Sequence, residues 1–309
     1  MKAIIIHEFG GPEVLKLEDI PIPKPAADEV LIKVYASGVN PVDYKIRKGL
    51  RKEKFPTNFP LIIGWDVSGM VEEVGVNVKR LKKGDEVYSR PDLTKNGTYA
   101  EYVVVKENMI GKKPNTIDHL HAAAVPLAGL TAWQGLFDLG KLEKGQKVLI
   151  HAASGGVGSF AVQFAKWKGA YVIGTTSQQN IDFVKQLGTD EVIDYKNEKF
   201  EDKLKDLDLV FDTIGGDTQK RSVQVLKNDG RLITTLKPEA TAEAAEKNIH
   251  LEGYTAQCYP EQLEKIAQLI DEGKVKPVVT KIFPLEEAAE AHKVIEKGHT
   301  VGKIVLKVI

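Results

Sequence analysis

The stretch 151-HAASGGVGSFAVQFAK-166 decides how this chain folds. It follows the short apolar run 147-KVLI-150, and its second half has the apolar content of a helix. The pattern Ala153-x-Gly155-x-x-Gly158 therefore lies between a predicted strand and a predicted helix, which is where a dinucleotide-binding fingerprint occurs. Glycines there let the helix pack on the strand and let a pyrophosphate approach the helix amides. Ala153 replaces the first glycine of the fingerprint, so a purely structural turn stays the alternative.

The end of the next predicted strand, 171-YVIGTT-176, indicates which cofactor the turn would bind. An NAD site places a carboxylate there, about 20 residues after the glycines, to bind the ribose hydroxyls. This chain has Ser177 at that point and no carboxylate before Asp182. A hydroxyl tolerates a 2′-phosphate that a carboxylate would repel, so NADP(H) is favoured over NAD(H). Ser177 could instead cap the following helix, and Tyr195, after the third strand, could line the adenosine end.

Strand and helix patterns divide the chain into two parts. The first third has short strand-like runs bounded by Gly, Pro and an Asn-Gly turn, which is typical of a compact β-rich domain. From about residue 117, helices alternate with strands, as in βαβ units around a parallel sheet. The last segment, 303-KIVLKVI-309, is expected to return to the β-rich domain. Predicted strands cover 30–39, 67–75, 84–90, 99–105, 147–152, 171–176, 191–195, 208–214 and 230–236, and predicted helices cover 118–140, 156–169, 179–188, 216–226, 261–273 and 286–298.

Composition limits the classes of function. Basic and acidic residues both number 43, whereas a nucleic-acid-binding protein has a basic excess. Cys258 is the single cysteine and can form neither an internal disulfide nor a Cys-based zinc site, which fits a reducing cytoplasm. The longest stretches without Asp, Glu, Lys or Arg are 119–137, which carries two His, a Pro, a Gln and two Gly, and 148–165, which carries the glycine cluster, so we expect no membrane span.

Seven ordered blocks of the chain resemble one family. They are 37-SGVNPVDYKIRKG-49, 64-GWDVSGMVEEVG-75, 84-GDEVY-88, 97-GTYAEYVVV-105, 126-PLAGLTAW-133, 145-GQKVLIHAASGGVG-158 and 209-LVFDTIGGD-217. Together they are similar to the medium-chain dehydrogenase/reductase superfamily, on its zinc-independent quinone oxidoreductase branch, which includes zeta-crystallin-like proteins and alkenal and enone reductases. The resemblance implies an α/β fold with two domains: a GroES-like β-rich catalytic domain over 1–118, completed by 274–309, and a Rossmann domain with a doubly wound parallel sheet over 119–273. The active site would lie in the cleft between them.

The resemblance also makes missing zinc ligands informative. Zinc-dependent relatives have a Cys near the NPVD block, a His-Glu pair where this chain has Trp65-Asp66, and a lobe with four Cys. Here Asn40 and Pro41 occupy the first place and the lobe is missing. Catalytic zinc needs three protein ligands, so we expect no zinc. His119 and His121 lie in a predicted helix, and we interpret them as structural.

The function implied by the resemblance is hydride transfer from NADPH to a quinone or an α,β-unsaturated carbonyl. Asn40 would orient the cofactor amide or the substrate oxygen. Tyr44 and Lys45 would stabilise the product anion or donate a proton, although Tyr44 could simply pack and Lys45 could simply be solvated. Cofactor contacts would come from Thr131, Ser154, Gly155, Gly156, Val157, Thr176, Ser177, Tyr195, Ile214, Gly215, Thr235 and Leu236.

The resemblance further implies a homodimer joined through the Rossmann domain, with 251–256 as an edge strand, and we expect a cytoplasmic location. The alternative function is an NADPH-binding structural or regulatory protein with little turnover, since some relatives are lens crystallins. A third and weaker alternative is a zinc-type dehydrogenase.

Overall fold

The structure is a computed structural model that describes residues 1–53, 58–92 and 94–309. These residues form two compact units, one made of 1–127 and 258–309 and the other of 128–257. The strands are β1 (Lys2–Ile6), β2 (Lys16–Asp19), β3 (Glu29–Val39), β4 (Leu61–Ile62), β5 (Val67–Val74), β6 (Glu86–Ser89), β7 (Tyr102–Lys106), β8 (Ile110–Lys112), β9 (Lys147–Ile150), β10 (Tyr171–Thr176), β11 (Glu191–Asp194), β12 (Leu207–Asp212), β13 (Leu226–Thr234), β14 (His250–Gly253), β15 (Val279–Pro284) and β16 (Lys303–Lys307). The α-helices are α1 (Pro41–Arg47), α2 (His119–Ala123), α3 (Pro126–Trp133), α4 (Gly156–Lys168), α5 (Ile181–Gln186), α6 (Gly216–Val225), α7 (Thr241–Glu246), α8 (Pro260–Asp271) and α9 (Ala288–Glu296).

The first unit is built around β3, the longest described strand. β3 pairs with β5, β7 and β16, and the main sheet has the order β15-β16-β3-β5-β6-β8. Most side chains of β3 are buried, because both faces of this strand are covered. The antiparallel register of β16 on β3, with Ile304 opposite Val39, confirms that the C-terminal segment returns to the β-rich part. A smaller sheet with the order β2-β1-β4 completes the unit.

The second unit is a six-stranded parallel sheet with the order β11-β10-β9-β12-β13-β14. Apolar residues from its central strands, including Leu149, Ile173, Val210 and Leu232, are buried in one core cluster. The chain runs outward from β9 through β10 to β11 and then crosses back to β12. Ligands of such sheets bind at the carboxyl ends of the strands where the order reverses, which here is beside β9 and β12.

The predicted helix over 118–140 is divided into three pieces. α2 ends before Pro126, which begins α3, because a proline in mid-helix lacks the N–H that the helix needs. A π-helical turn follows α3 over Gln134–Leu139. Within it, a Cβ on Gly135 would lie 2.3 Å from the Phe211 ring, so this position has no room for a side chain.

No helix in the described ranges is long and apolar enough to cross a membrane.

Two segments that the sequence placed in the Rossmann domain lie in the first unit instead, namely 119–127 and 258–273. The reason is packing: α2 contacts β3 and β5, and α8 contacts β8. The Tyr88 hydroxyl donates to the Leu263 carbonyl oxygen on α8. A Cβ on Gly111 would lie only 2.7 Å from Leu263, so glycine lets helix and strand meet.

Candidate functional site

The glycine turn lies at the N-terminus of α4 in the second unit. Gly155 has an extended backbone, and no described side chain caps the first amides of α4. A Cβ on Gly158 would lie 2.2 Å from the Ala152 carbonyl oxygen, so this position requires glycine. A Cβ on Gly155 would meet only that oxygen among described non-neighbouring atoms, at 3.3 Å. The space at Gly155 and the amides of Gly156 and Val157 fit a pyrophosphate.

Beside this turn lies a group of neutral polar side chains that we call the hydroxyl cluster: Ser154, Thr176, Ser177 and Asn180. The Thr176 hydroxyl donates to Ser154 Oγ at 2.9 Å. The Asn180 amide nitrogen lies 3.2 Å from Ser177 Oγ and 3.5 Å from Ser154 Oγ. None of these four side chains carries a negative charge, so the cluster offers hydrogen bonds to a 2′-phosphate without repelling it. Sequence analysis missed Asn180, whose signal was an amide three residues after Ser177.

The predicted cofactor residues of the second unit follow adjacent parallel strands. Because the carboxyl ends of parallel strands share one edge of the sheet, the structure gathers these residues along that edge. The backbone N–H of Tyr195 donates to the Thr176 carbonyl oxygen at 3.1 Å, which ties the end of β11 to the end of β10. In strand order, the edge carries Tyr195 after β11, Thr176 and Ser177 at β10, Ser154, Gly155, Gly156 and Val157 after β9, Ile214 and Gly215 after β12, and Thr235 and Leu236 after β13.

Asp212, at the end of β12, holds two of these loops. One carboxylate oxygen accepts from the backbone amides of Ile214 and Gly215, at 2.9 and 3.0 Å. The other accepts from the Thr234 hydroxyl at 2.9 Å and from the Gln219 side chain at 3.1 Å. Asp212 is fully buried, so it acts as a structural lock between the loops after β12 and β13. Its contacts join segments distant in sequence, and sequence analysis did not single it out.

Thr131 lies on α3 rather than in a loop that follows a strand. Its side chain is almost fully buried, and its carbonyl oxygen accepts from the Tyr254 hydroxyl. The structure therefore places Thr131 against the segment after β14. A contact between Thr131 and the cofactor stays a prediction.

In the first unit, Asn40 precedes α1 and is 3% exposed. Its backbone N–H donates to Asp43 Oδ2 at 2.7 Å, which fixes the start of the helix. Its side-chain nitrogen donates to Asp66 Oδ2 at 2.9 Å, and its side-chain oxygen accepts from Lys303 Nζ. Asn40 is thus held by two charged groups, Asp66 and Lys303, and neither contact was predicted from the sequence.

Tyr44 and Lys45 lie on α1 and are half-buried. The Lys48 ammonium lies 5.6 Å from the centre of the Tyr44 ring. Burial, together with the charge of Arg51, lowers the pKa of Lys45. A lysine with a lowered pKa is a better proton donor near neutral pH, so Lys45 has the chemistry that its predicted role requires.

A buried polar network lies behind α1. Burial raises the pKa of Asp43 to about 7, against the lowering effect of the Asn40 amide and the Tyr99 hydroxyl. The Tyr99 hydroxyl lies 2.8 Å from Asp43 Oδ2 and 3.3 Å from His292 Nε2. Burial and the neighbouring Arg47 guanidinium lower the pKa of His292 to about 3. This network holds α1 through Asp43 and Arg47 and was not predicted.

The residues at the positions where zinc-dependent relatives have metal ligands do not fit zinc. Trp65 is buried and offers no ligand atom, and both carboxylate oxygens of Asp66 already accept hydrogen bonds. His119 bonds to Ser68 at 2.8 Å and to Glu86 at 3.2 Å, and His121 bonds to Asp118 at 2.7 Å. In the part of the chain that the structure describes, no three His, Cys, Asp or Glu side chains come together to hold a metal ion.

Two family models match the chain. Residues 26–115 match the alcohol dehydrogenase GroES-like domain, and residues 187–306 match a model described as zinc-binding dehydrogenase. The first match lies in the β-rich unit. The description of the second model names zinc, but the residues of this chain described above do not supply the three ligands that catalytic zinc needs.

Curated relatives match the chain over its whole length. It is 35% identical to the mitochondrial NAD(P)H oxidoreductase RTN4IP1 of Mus musculus, over 100% of this chain and 89% of that protein. It is 37% identical to the chloroplastic NADPH-dependent alkenal/one oxidoreductase of Arabidopsis thaliana, over 99% of this chain and 79% of that protein. These relatives have organellar names, so the cytoplasmic location of this chain stays a prediction.

Solved structures agree with these relatives. The quinone oxidoreductase of Coxiella burnetii matches with a TM-score of 0.93 and 37% identity, over 100% of this chain and 99% of that one. The Escherichia coli quinone oxidoreductase complexed with NADPH matches with a TM-score of 0.91 and 29% identity, over 100% of both chains. The predicted α/β fold with a GroES-like part and a Rossmann-like parallel sheet is confirmed. The chain therefore belongs to the medium-chain dehydrogenase/reductase superfamily of oxidoreductases, on its quinone and enone oxidoreductase branch.

Proposed function

We propose that this chain is an NADPH-dependent reductase that transfers hydride to a quinone or an α,β-unsaturated carbonyl without a metal ion. The observation that carries the proposal is the neutral hydroxyl cluster beside the uncapped amides of α4. It fits a cofactor with a 2′-phosphate, and an NADPH-dependent relative and an NADPH-bound structural neighbour support this choice. Their names also support the class of acceptor.

The residues of this chain have three tasks in such a reaction. The amides of Gly156 and Val157 bind the pyrophosphate, and the Asp212 lock keeps the loops after β12 and β13 in place. When bound, NADPH supplies the hydride. The enolate or hydroquinone anion that results needs a nearby positive charge and a proton, and Lys45 can provide both. Tyr44, the preceding residue, is the second candidate donor.

A quinone or an enone is already electrophilic, so it accepts hydride without a Lewis acid. An alcohol dehydrogenase of this superfamily needs zinc to polarise its substrate. Trp65 and the hydrogen-bonded Asp66 leave no donor set of that kind where zinc-dependent relatives have their ligands. The proposal therefore assigns this chain to reduction rather than to alcohol oxidation.

The test is a steady-state screen of NADPH and NADH against quinones and short enones, using protein treated with EDTA. We expect NADPH oxidation with at least one acceptor and a higher kcat/KM for NADPH than for NADH. In Lys45→Met, kcat should fall roughly tenfold, while the NADPH Kd stays unchanged, because the cofactor residues lie on the second unit. NADPH binding without turnover of any acceptor would favour the structural role, and alcohol oxidation that depends on added zinc would contradict the proposal.

A further inference from the structure

Lys303, the first residue of β16, has a buried ammonium group that has no role in the reaction proposed above. The residue is 4% exposed. Its Nζ donates to the Val39 carbonyl oxygen at 3.3 Å, to Asp66 Oδ2 at 3.2 Å and to Asn40 Oδ1. An ammonium carries three donors, so these three acceptors satisfy it completely.

Asp66 is the counter-charge and is fully buried. Its Oδ1 accepts from the Leu127 backbone amide at 2.6 Å, and its Oδ2 accepts from Asn40 and Lys303. Burial raises the pKa of Asp66, and Lys303 and the Asn40 amide oppose that effect. Because all three partners are N–H donors, they satisfy the ionised carboxylate.

A buried ion pair is a poor means of stabilising a fold. The cost of removing both charges from water commonly exceeds their attraction, and an apolar pair of similar size is often as stable. What the pair of Lys303 and Asp66 does provide is direction. Lys303 faces the oxygen of the Asn40 amide and Asp66 faces its nitrogen. In the flipped amide, the NH₂ group would face an ammonium and the oxygen would face a carboxylate, so both contacts would become repulsive.

The backbone holds Lys303 rigidly in this place. Gly302, which precedes it, has φ of +57°, and a Cβ there would lie 2.6 Å from the Val278 carbonyl oxygen. The Lys303 backbone amide donates to that same oxygen at 2.8 Å. The register of Ile304 opposite Val39 then places Lys303 beside Asn40 at the end of β3. Groups on packed strands are positioned more precisely than groups on loops.

We propose that Lys303 is a positioning residue of the active site, which with Asp66 fixes the Asn40 amide in a single orientation. The inference rests on the proposed function, in which Asn40 orients the cofactor amide or the substrate oxygen. An amide has two donors and two lone pairs, and Asp66 and Lys303 take one of each. The Gly38 carbonyl oxygen lies 3.5 Å from the amide nitrogen, at the limit of a hydrogen bond. One Oδ1 lone pair is therefore left for a reactant, and the second N–H is held only by this long contact.

The test separates positioning from charge balance. Lys303→Met alone leaves Asp66 buried and unpaired, so the informative protein is the neutral double variant Lys303→Met/Asp66→Asn. We expect it to fold, to bind NADPH like the wild type, and to lose at least tenfold in kcat. Asn40→Ala should lose a similar factor, and adding it to the double variant should lower kcat no further. Lys113→Met removes another buried lysine, which bonds to the Pro114 and Ile117 carbonyl oxygens, and should keep the wild-type kcat.

A second readout does not depend on turnover. In ¹⁵N-labelled protein, the protons of the Asn40 side-chain amide, assigned by their loss in Asn40→Ala, should exchange slowly with solvent and have chemical shifts displaced from those of a free side-chain amide. In the double variant they should exchange faster and their shifts should move toward those of a free amide, because the group then samples both orientations about the Cβ–Cγ bond. A double variant with wild-type kcat, an unchanged amide signal, or an Asn40→Ala variant with wild-type kcat would overturn the inference. If the wild type turned over no acceptor, the proposed function would fail first and the inference with it.

Discussion

Gly155 and Gly158 lie in one turn, yet they are glycine for different reasons. A Cβ at position 158 would collide with the Ala152 carbonyl oxygen at 2.2 Å, whereas at position 155 the same oxygen lies 3.3 Å away. Gly158 is therefore required by the packing of α4 on the sheet. Gly155 leaves a space that the fold does not need and that a phosphate fits.

Alanine at each position separates these two requirements. We expect Gly158→Ala to lower the free energy of unfolding by about 1–3 kcal/mol, the usual cost of overpacking. Gly155→Ala should cost about 1 kcal/mol or less but weaken NADPH binding roughly tenfold, which is about 1.4 kcal/mol. Urea unfolding and NADPH fluorescence titration measure the two effects. A stable Gly155→Ala protein with wild-type NADPH affinity would argue against a phosphate at this turn.

Ser177 should decide the choice between the two nucleotides. Ser177→Asp places a carboxylate at the end of β10, where it would repel a 2′-phosphate and accept from ribose hydroxyls. We expect the ratio of kcat/KM for NADPH to that for NADH to fall at least tenfold, or about 1.4 kcal/mol. Ser177→Ala, which adds no charge, serves as the control and should change the ratio far less. An unchanged ratio in Ser177→Asp would place the 2′-phosphate elsewhere.

His151 should make stability depend on pH. It is buried between Thr175 and Ser222, and burial lowers its pKa from 6.5 to about 4. The unfolded chain takes up a proton below about pH 6.5 that the folded chain refuses, so stability is full above that pH and is lost as the pH falls toward 4.

The matched variant His151→Gln keeps the hydrogen bonds but cannot titrate. As the pH falls from about 7.5 to about 5, the wild type should lose about 2 kcal/mol of free energy of unfolding relative to His151→Gln, at 1.36 kcal/mol per pKa unit. Asp43 and the other carboxylates are common to both proteins and cancel in this comparison. Parallel pH profiles from urea titrations would show that His151 does not carry this proton.

Much of the site could be predicted from single residues and their spacing. The rest could not, because it depends on contacts between distant parts of the chain. The glycine turn and Ser177 follow from local spacing over two successive strands and the helix between them, and in the structure Asn180 bonds to both Ser154 and Ser177. Asp212 and Lys303 act through partners that are distant in sequence, such as Thr234 for Asp212 and Asn40 for Lys303. Only the folded sheets bring those partners together.

At the scale of elements, the strand ends of the second unit carry the candidate site. Asp212 accepts two hydrogen bonds from the loop after β12, one from Gln219 on α6 and one from Thr234 at the end of β13. Gly215, with φ of +77°, lets its loop approach Leu236. The loops therefore behave as one element rather than as two.

Asp212→Ala should release both loops. We expect a loss of about 2–4 kcal/mol in free energy of unfolding, because four donors lose a buried carboxylate, and faster hydrogen exchange at the amides of Ile214 and Gly215. Asp208→Ala is the matched control. The partially exposed Asp208 carboxylate bonds to the Lys147 amide and to Lys227 at the other end of the same sheet. In this variant the amides of Ile214 and Gly215 should therefore stay protected. Protection that survived in Asp212→Ala would show that the loops are held by other contacts.

Prediction of elements succeeded where apolar periodicity is strong. The helices and strands from β9 to β13 lie within a few residues of their predicted bounds. The predictions omitted short or weakly patterned pieces, such as β2 with its charged sequence KLED and α1, which begins at Pro41. Such pieces take their structure from the sheets and helices that cover them, and this tertiary effect is invisible in local sequence.

At the scale of the whole molecule, the chain is a β-rich unit and a parallel-sheet unit of one known superfamily. Seven sequence blocks predicted that membership because they cover nearly the whole chain in order. The homodimer stays a prediction; β14 lies at one end of the described parallel sheet and is the edge through which it would form. The boundaries of the units were harder to predict, since α8 follows the Rossmann pattern in sequence but packs on β8.

The measurement that tests the central claim most directly is isothermal titration calorimetry of the EDTA-treated wild-type protein with NADPH and, separately, NADH. We expect saturable heat from NADPH at one nucleotide per chain and clearly weaker binding of NADH. Absence of heat from both reduced nucleotides would contradict it, because the uncapped amides of α4 and the hydroxyl cluster would then have no ligand to hold.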